Sequence, residues 1–241
     1  MPDFEQMLED YYCEVLNRGD ACIDVGAHVG RHTFPLARCV GPSGKVFAFE
    51  PIPAIAAQLR TALNAGQDHG AVPKRLATVE LHECALADTK GVADFVLVHE
   101  APGYSGLLPR HYDGEVTTEI IRVDVQRLDD LVAGFPPIKF IKVDCEGAEL
   151  RVMRGARALL ERDQPQISFE CGDASLESYD YDAADIFDFL DNNGYEISSI
   201  YREQLDRKRF IMAAARQEYW DYIAKPKISG VETRGIETDA H

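Results

Sequence analysis

The stretch Ala21-Cys22-Ile23-Asp24-Val25-Gly26-Ala27-His28-Val29-Gly30 decides how this chain is read. Ala21 to Val25 has the apolar character of a buried strand, and the run ends at a glycine. Thr33 to Val40 then reads as a helix, stopped by Gly41-Pro42-Ser43-Gly44. In an open α/β sheet, ligands sit beyond the carboxyl ends of the strands, at just such a strand-to-helix turn. Gly26 allows the tight turn because it has no Cβ to clash. Gly30 lets the following helix pack close to the sheet.

The glycine spacing separates two cofactor classes. A dinucleotide turn reads Gly-x-Gly-x-x-Gly, and its middle glycine admits a pyrophosphate. Here the glycines are Gly26 and Gly30, with His28 where the middle glycine would be. Asp24 sets a carboxylate just before the turn, where it repels a pyrophosphate and can hold an amino group. Val46 to Phe49 is a second strand, closed by Glu50-Pro51. Glu50 stands twenty positions after Gly30, where an acid accepts hydrogen bonds from ribose hydroxyls. S-adenosylmethionine has the adenosine, the amino group and no phosphate. A nicotinamide oxidoreductase on the same sheet is the competing possibility, and His28 counts against it. A cofactor-binding module without catalysis is the non-enzyme alternative.

Outward from this turn, the pattern keeps alternating. Residues 1–18 read as an N-terminal amphipathic helix, with Phe4, Met7, Leu8, Tyr11, Tyr12, Val15 and Leu16 at helical spacing. Ala54 to Ala65 is a helix, 67–77 a loop and Val79 to Glu83 a strand. Val92 to Val98 and Glu115 to Val123 read as strands joined by a Gly/Pro-rich loop, Pro102 to Gly114. Ile138 to Val143 is a buried strand, followed by a helix from Ala148 to Glu161 and a strand from Gln166 to Phe169. Ala183 to Asn192 is a helix. Tyr195 to Tyr201 and Arg209 to Ala215 read as two closing strands, one of them antiparallel because no helix separates them. Strands alternating with helices mean a parallel sheet covered on both faces. A main domain over 19–224, with a lid insertion at about 99–115 and a flexible tail at 225–241, is the expected organisation.

Bulk composition narrows the partners. The 241 residues carry 25 basic and 41 acidic side chains, a formal charge of −16. A chain this acidic repels phosphate backbones and anionic lipid, so neither nucleic acid nor membrane is an expected partner. No stretch is long and apolar enough to span a bilayer. The six cysteines form no Cys-x-x-Cys pair, and those in strand patterns read as buried reduced thiols. No metal site is expected. The expected location is cytoplasmic, and a homo-oligomer is compatible.

Lys142-Val143-Asp144-Cys145-Glu146-Gly147-Ala148-Glu149 brings three acids and a lysine to the mouth of the sheet. A hydroxyl acceptor needs its proton removed, so Asp144 and Glu146 read as a base and an orienting partner. His28 is a second candidate base, or else a helix-capping histidine. Asp144 as a cap, and Glu146 and Glu149 as helix N-terminal acids, are the structural alternatives. Glu170 could add a fourth acid.

With these segments on the page, the chain resembles the FkbM family of methyltransferases over about residues 20 to 172. The resemblance rests on 24–30, Gly44 to Pro51, Cys84-Ala85-Leu86-Ala87-Asp88, Gly103 to Leu107, Lys142 to Glu149 and Phe169-Glu170. It implies a Rossmann-like class I methyltransferase fold: a mostly parallel seven-stranded sheet, helices on both faces, and a β-hairpin/lid insertion. It implies S-adenosylmethionine held by Asp24, Gly26, Ala27, His28, Gly30, Glu50, Pro51 and Asp144. Ala85 and Leu86 would flank the adenine, or else form an ordinary strand-end loop. The implied reaction is O-methylation of a small-molecule or glycan hydroxyl, on a sugar or secondary metabolite.

Overall fold

In the computed structural model, residues 3–65, 76–112 and 114–227 are described. Strand β1 (Ala21–Val25) is buried along its whole length, because both of its faces are covered. Cys22, Val46, Phe140 and Ile223 share the face packed under helices α1 (Phe4–Val15) and α2 (Thr33–Val40). Ile23, Phe47, Ile141 and Ile167 point the other way, into the larger core. That two-sided burial explains why the strand reads as an unbroken apolar run.

The chain continues through β2 (Lys45–Phe49), α3 (Pro53–Ala65), β3 (Thr78–His82) and β4 (Ala85–Leu86). Next come β5 (Gly91–Val98), β6 (Thr118–Gln126), α4 (Leu128–Leu131) and β7 (Ile138–Val143). Then follow α5 (Glu149–Arg154), α6 (Arg157–Asp163), β8 (Gln166–Glu170), α7 (Asp173–Leu176) and α8 (Ala183–Asn192). The described chain closes with β9 (Tyr195–Ser199), β10 (Gln204–Leu205), α9 (Arg207–Ala215) and β11 (Asp221–Pro226).

The main sheet has the order β10-β9-β11-β8-β7-β1-β2-β3. Seven strands form its body, as expected, and the two-residue β10 extends one edge. β1 pairs in parallel with β2 on one side and β7 on the other, so the strand order reverses there. β11 runs antiparallel between β8 and β9. A second, three-stranded sheet holds the β5–β6 hairpin, with β4 parallel to β6. Gly106 bridges back to Val96, folding the hairpin's long connection toward the main sheet.

Several expectations need correction. Arg209 to Ala215 is helical, within α9, whose first turn is capped by Asp206 accepting from the Arg209 amide. The last strand lies further on, at β11, and Lys225 and Pro226 belong to it rather than to a tail. The helix expected over Ala148 to Glu161 is two helices, broken at Gly155. A Cβ on Gly155 would lie 2.1 Å from the Ala87 carbonyl oxygen, so the backbones are too close for a continuous side-chained turn. Residues 228–241, and most of the loop expected at 67–77, lie outside the described residues. Cys13 and Cys39 form a disulfide that ties α1 to α2, while Cys22, Cys84 and Cys171 are buried free thiols. Among the described residues, no helix is long and apolar enough to cross a membrane.

Candidate active site

Strand register builds the site. Val25 pairs with Phe49 on β2 and with Val143 on β7. The next residues, Gly26, Glu50 and Asp144, therefore emerge side by side at the carboxyl edge. The row continues, because Val143 pairs with Phe169 and Glu170 pairs with Asp221. A cavity of about 520 Å³ opens over this row, within the range of small-molecule sites.

Gly26 has a φ of 77°, and a Cβ there would lie 1.8 Å from the Asp144 carbonyl oxygen. The glycine is thus required by the neighbouring strand as well as by the turn. The Gly26 and Ala27 amides donate to the Phe49 carbonyl at 3.0 and 2.9 Å, pinning the turn to β2. Glu50 is buried, and its two oxygens accept from the His28 and Ile52 amides at 2.9 and 2.8 Å. Burial pushes its carboxyl up to about 7, against the pull of those two amides. Pro51, Ala85 and Leu86 line the same end of the cavity.

His28 sits at a φ of 48° and also lines the cavity. Its buried Nε2 has no hydrogen-bond partner, and burial lowers its pKa. Asp24 is completely buried and stands behind the turn, outside the cavity lining. Its Oδ2 accepts from the Thr33 hydroxyl at 2.6 Å, and its Oδ1 lies 3.9 Å from Lys142 Nζ. Gly30 likewise lies outside the lining. A Cβ there would meet Phe34 and Leu59 below 3.0 Å, so it serves the packing of α2 and α3.

On the other side of the turn, Lys142 Nζ donates to Asp144 Oδ2 at 3.0 Å. Asp144 keeps about a third of its side chain exposed. Glu146 takes a left-handed φ of 56° and pairs with Arg110 from the lid connection. Burial and the Asp144 carboxylate raise the Glu146 pKa, and Arg110 pulls it the other way. Arg110 in turn lies over the Tyr104 ring, 4.9 Å from its centroid. The third acid of the segment turns away: Glu149 Oε1 accepts from the Cys145 and Gly147 amides at 3.0 and 3.2 Å, and Glu149 does not line the cavity. Glu170 does line it, together with Phe4, Glu5, His32, Arg110, Trp220 and Asp221, which sequence reasoning left unmarked. Arg110 alone carried a signal, its place in the loop read as a lid. His32 Nε2 and Glu5 Oε2 are 2.6 Å apart, so α1 closes one wall of the cavity. Among the described residues, no group of three or more His, Cys, Asp or Glu side chains is arranged to hold a metal.

Known proteins share this architecture. Methyltransferase 1 of Beauveria bassiana is 27% identical over 150 residues, 55% of this chain and 57% of its own length. Methyltransferase sdnD of Sordaria araneosa is 26% identical over 181 residues, 63% of this chain and 67% of its own length. The chain thus spans roughly three-fifths of the curated relatives it matches. The crystal structure of methyltransferase FkbM from Methylobacillus flagellatus superposes with a TM-score of 0.50 at 17% identity, covering 93% of this chain and 55% of that one. The O-methyltransferase TomG of Streptomyces achromogenes, solved in complex with SAM, gives 0.51 at 14% identity over 95% of this chain and 84% of its own. At such identities the likeness speaks for the fold, the Rossmann-like fold of class I methyltransferases. The family model of the methyltransferase FkbM domain matches residues 24–197, and with most of its length inside that match this chain belongs to the FkbM methyltransferase family.

Proposed function

We propose that the chain uses S-adenosylmethionine to methylate a hydroxyl of a small molecule, such as a sugar or a secondary metabolite. The observation that carries this proposal is the row at the carboxyl edge, where Glu50, Gly26 and Asp144 are consecutive neighbours over one cavity. The residues present fit an adenosyl cofactor. Glu50 is aimed along the cavity with its inner lone pairs occupied by backbone amides, leaving outer ones for ribose hydroxyls. Gly26 and Ala27 offer bare backbone beside it, and Pro51, Ala85 and Leu86 offer apolar walls for an adenine.

When bound, the cofactor supplies a methyl group already activated on a sulfonium, so alignment of the acceptor contributes most of the acceleration. This chain's residues would then have three tasks. Asp144, partly exposed and oriented by Lys142, takes the proton of the acceptor hydroxyl. Glu146, held by Arg110, orients that hydroxyl, and Arg110 with Tyr104 closes the lid connection over it. His28, kept neutral by its burial, is the second group able to accept the proton. Asp24 is a positioning residue, holding Thr33 and backing Lys142 from below the turn.

The test is a turnover assay with S-adenosylmethionine and a panel of alkyl and aryl glycosides, read by mass spectrometry for added methyl groups. Methylation at oxygen, lost in Asp144→Asn while cofactor affinity by calorimetry is kept, is the expected result. Tight binding of NAD instead, or methyl groups found only on nitrogen, would overturn the proposal.

A further inference from the structure

At the far end of the cavity, Asp221 on β11 pairs directly with Glu170 on β8. Residues opposite each other on antiparallel strands carry their Cβ atoms about 4.5–5.5 Å apart on one face, and like charges there are destabilising. Asp221 is only 8% exposed. Among the described residues, neither it nor Glu170 takes part in a hydrogen bond or an ion pair through its side chain. Lys142 attracts both carboxyls electrostatically but donates its hydrogen bond to Asp144, and Arg110 pairs with Glu146. Asp144, and Glu5 from α1, add to the negative field at this end. Both carboxyls line the cavity, so their unmet bonding capacity faces the ligand space.

The residue next to Asp221 is Trp220, the only tryptophan of the chain. It is 43% exposed and lines the same cavity. Tryptophan is the best aromatic partner for a cation. Asp221, buried, and Glu170, half-buried, have no hydrogen-bonded or ion-paired side-chain partner, and beside the Trp220 indole they form a receptor for positive charge. Burial raises both carboxyl pKa values, so the pair on its own holds a proton that a bound cation would displace and a neutral polyol would not.

We propose that Glu170, Asp221 and Trp220 form a cation subsite that selects an acceptor bearing an ammonium group, in addition to the hydroxyl to be methylated. The subsite rests on the proposed hydroxyl methylation at Asp144 and names the class of acceptor. Its distance from the cofactor end supports this assignment. With strands about 4.8 Å apart, β8 and β11 lie roughly 10 and 14 Å from β1, on the side away from Glu50. An acceptor hydroxyl at Asp144 would have its ammonium reach one to two strands further. The proposal adds a binding contact and no new chemical step.

Trp220 makes the test direct, since its fluorescence reports from inside the subsite. The probes are trans-4-aminocyclohexanol and its neutral match trans-1,4-cyclohexanediol, titrated into the full chain saturated with S-adenosylhomocysteine. The ammonium probe should perturb the fluorescence with about tenfold or greater preference, the scale of one charge-assisted hydrogen bond. Asp221→Asn, Glu170→Gln and the double variant should stay folded, because each replaces a carboxyl by an amide of the same shape. They should lose the preference progressively while keeping affinity for S-adenosylmethionine. Equal affinity for the two probes, no response to either, or a preference surviving in the double variant would overturn the subsite. So would loss of cofactor affinity in these variants, which would assign the acids to the cofactor's own amino group. Magnesium-dependent activity that is lost on adding chelator and lost in the same variants would reassign them to a metal. Product analysis keeps the two proposals apart: no methyl on any hydroxyl, with the charge preference kept, would sink O-methylation and leave the subsite standing, whereas methyl on the nitrogen of the probe would sink both.

Discussion

Gly26 touches the Asp144 backbone, so one substitution tests whether the turn and the catalytic strand are a single unit. In Gly26→Ala the new Cβ would meet the Asp144 carbonyl oxygen at a backbone φ that side chains disfavour, and β1 and β7 must separate. Cofactor affinity should fall by tenfold or more and the melting temperature should drop; calorimetry and a thermal melt check both, and normal values for a folded variant would refute the geometry. Glu50→Gln should weaken cofactor binding by about 1–3 kcal/mol, the scale of hydrogen bonds to a charged group, with the fold intact. Asp144→Asn should lower turnover by about 10²–10⁴-fold, the range for loss of a general base, and leave cofactor affinity unchanged. If affinity fell as far as rate, Asp144 would be a binding residue. Gly26, Glu50 and Asp144 could be placed side by side from the sequence because each directly follows a strand, and parallel strands present those ends together; Glu146 lies in the turn three residues beyond β7. Asp24 shows the limit of that logic. It also lies near a strand end, yet alternation turns its side chain behind the sheet edge, where it meets Thr33 and Lys142 instead of the cavity.

Elements obey a different limit. β1, α2, β2 and β7 were readable because their apolar runs are framed by Gly, Pro or a capping acid. The Arg209 to Ala215 segment is a short apolar run, which periodicity cannot assign between strand and helix. Its deciding feature was the Asp206 cap, and the tertiary packing of Phe210, Ala213 and Ala214 confirms the helix. That misassignment also hid β11, and with it Asp221 and Trp220. The wall formed by α1 was equally invisible, since nothing local in Phe4-Glu5 says that the helix folds back over the sheet edge. The ties that hold it there include the His32–Glu5 contact, the ion pairs of Arg31 with Glu5 and Glu9, and the Cys13–Cys39 disulfide. A cross-link of this loop length is expected to contribute about 2–4 kcal/mol. Dithiothreitol should therefore lower the melting temperature of the wild type by several degrees and leave Cys39→Ser unmoved. A wild-type melt indifferent to reductant would show that the cross-link contributes nothing.

At the scale of the whole molecule, the acidic surface and the acidic interior respond oppositely to pH. Surface carboxylates such as Glu80, Glu203 and Asp188 are held below their ordinary range, mainly by hydrogen bonds to Lys45, Tyr219 and Arg207. A lowered group stabilises the fold above its unfolded pKa and loses that contribution as pH falls through its folded value. Interior carboxyls do the reverse. Glu50, Glu149 and Asp221 are each pushed up to about 7, in every case chiefly by burial. Between the unfolded value near 4 and the folded value near 7, the native state binds more protons than the unfolded chain. Stability must then fall as pH rises through that window. The two trends cross in mildly acidic solution. The melting temperature of the cofactor-free protein is expected to peak near pH 5 and to decline steadily toward pH 8. Glu50→Gln and Asp221→Asn separate the contributions: each should flatten the decline between about pH 5 and 8 without shifting the acid limb, and the double variant should flatten it further. A melting temperature that instead rises from pH 5 to pH 8, or a slope unchanged in both variants, would mean that these carboxyls titrate normally. Their burial at the carboxyl edge would then carry no charge penalty for a ligand to relieve.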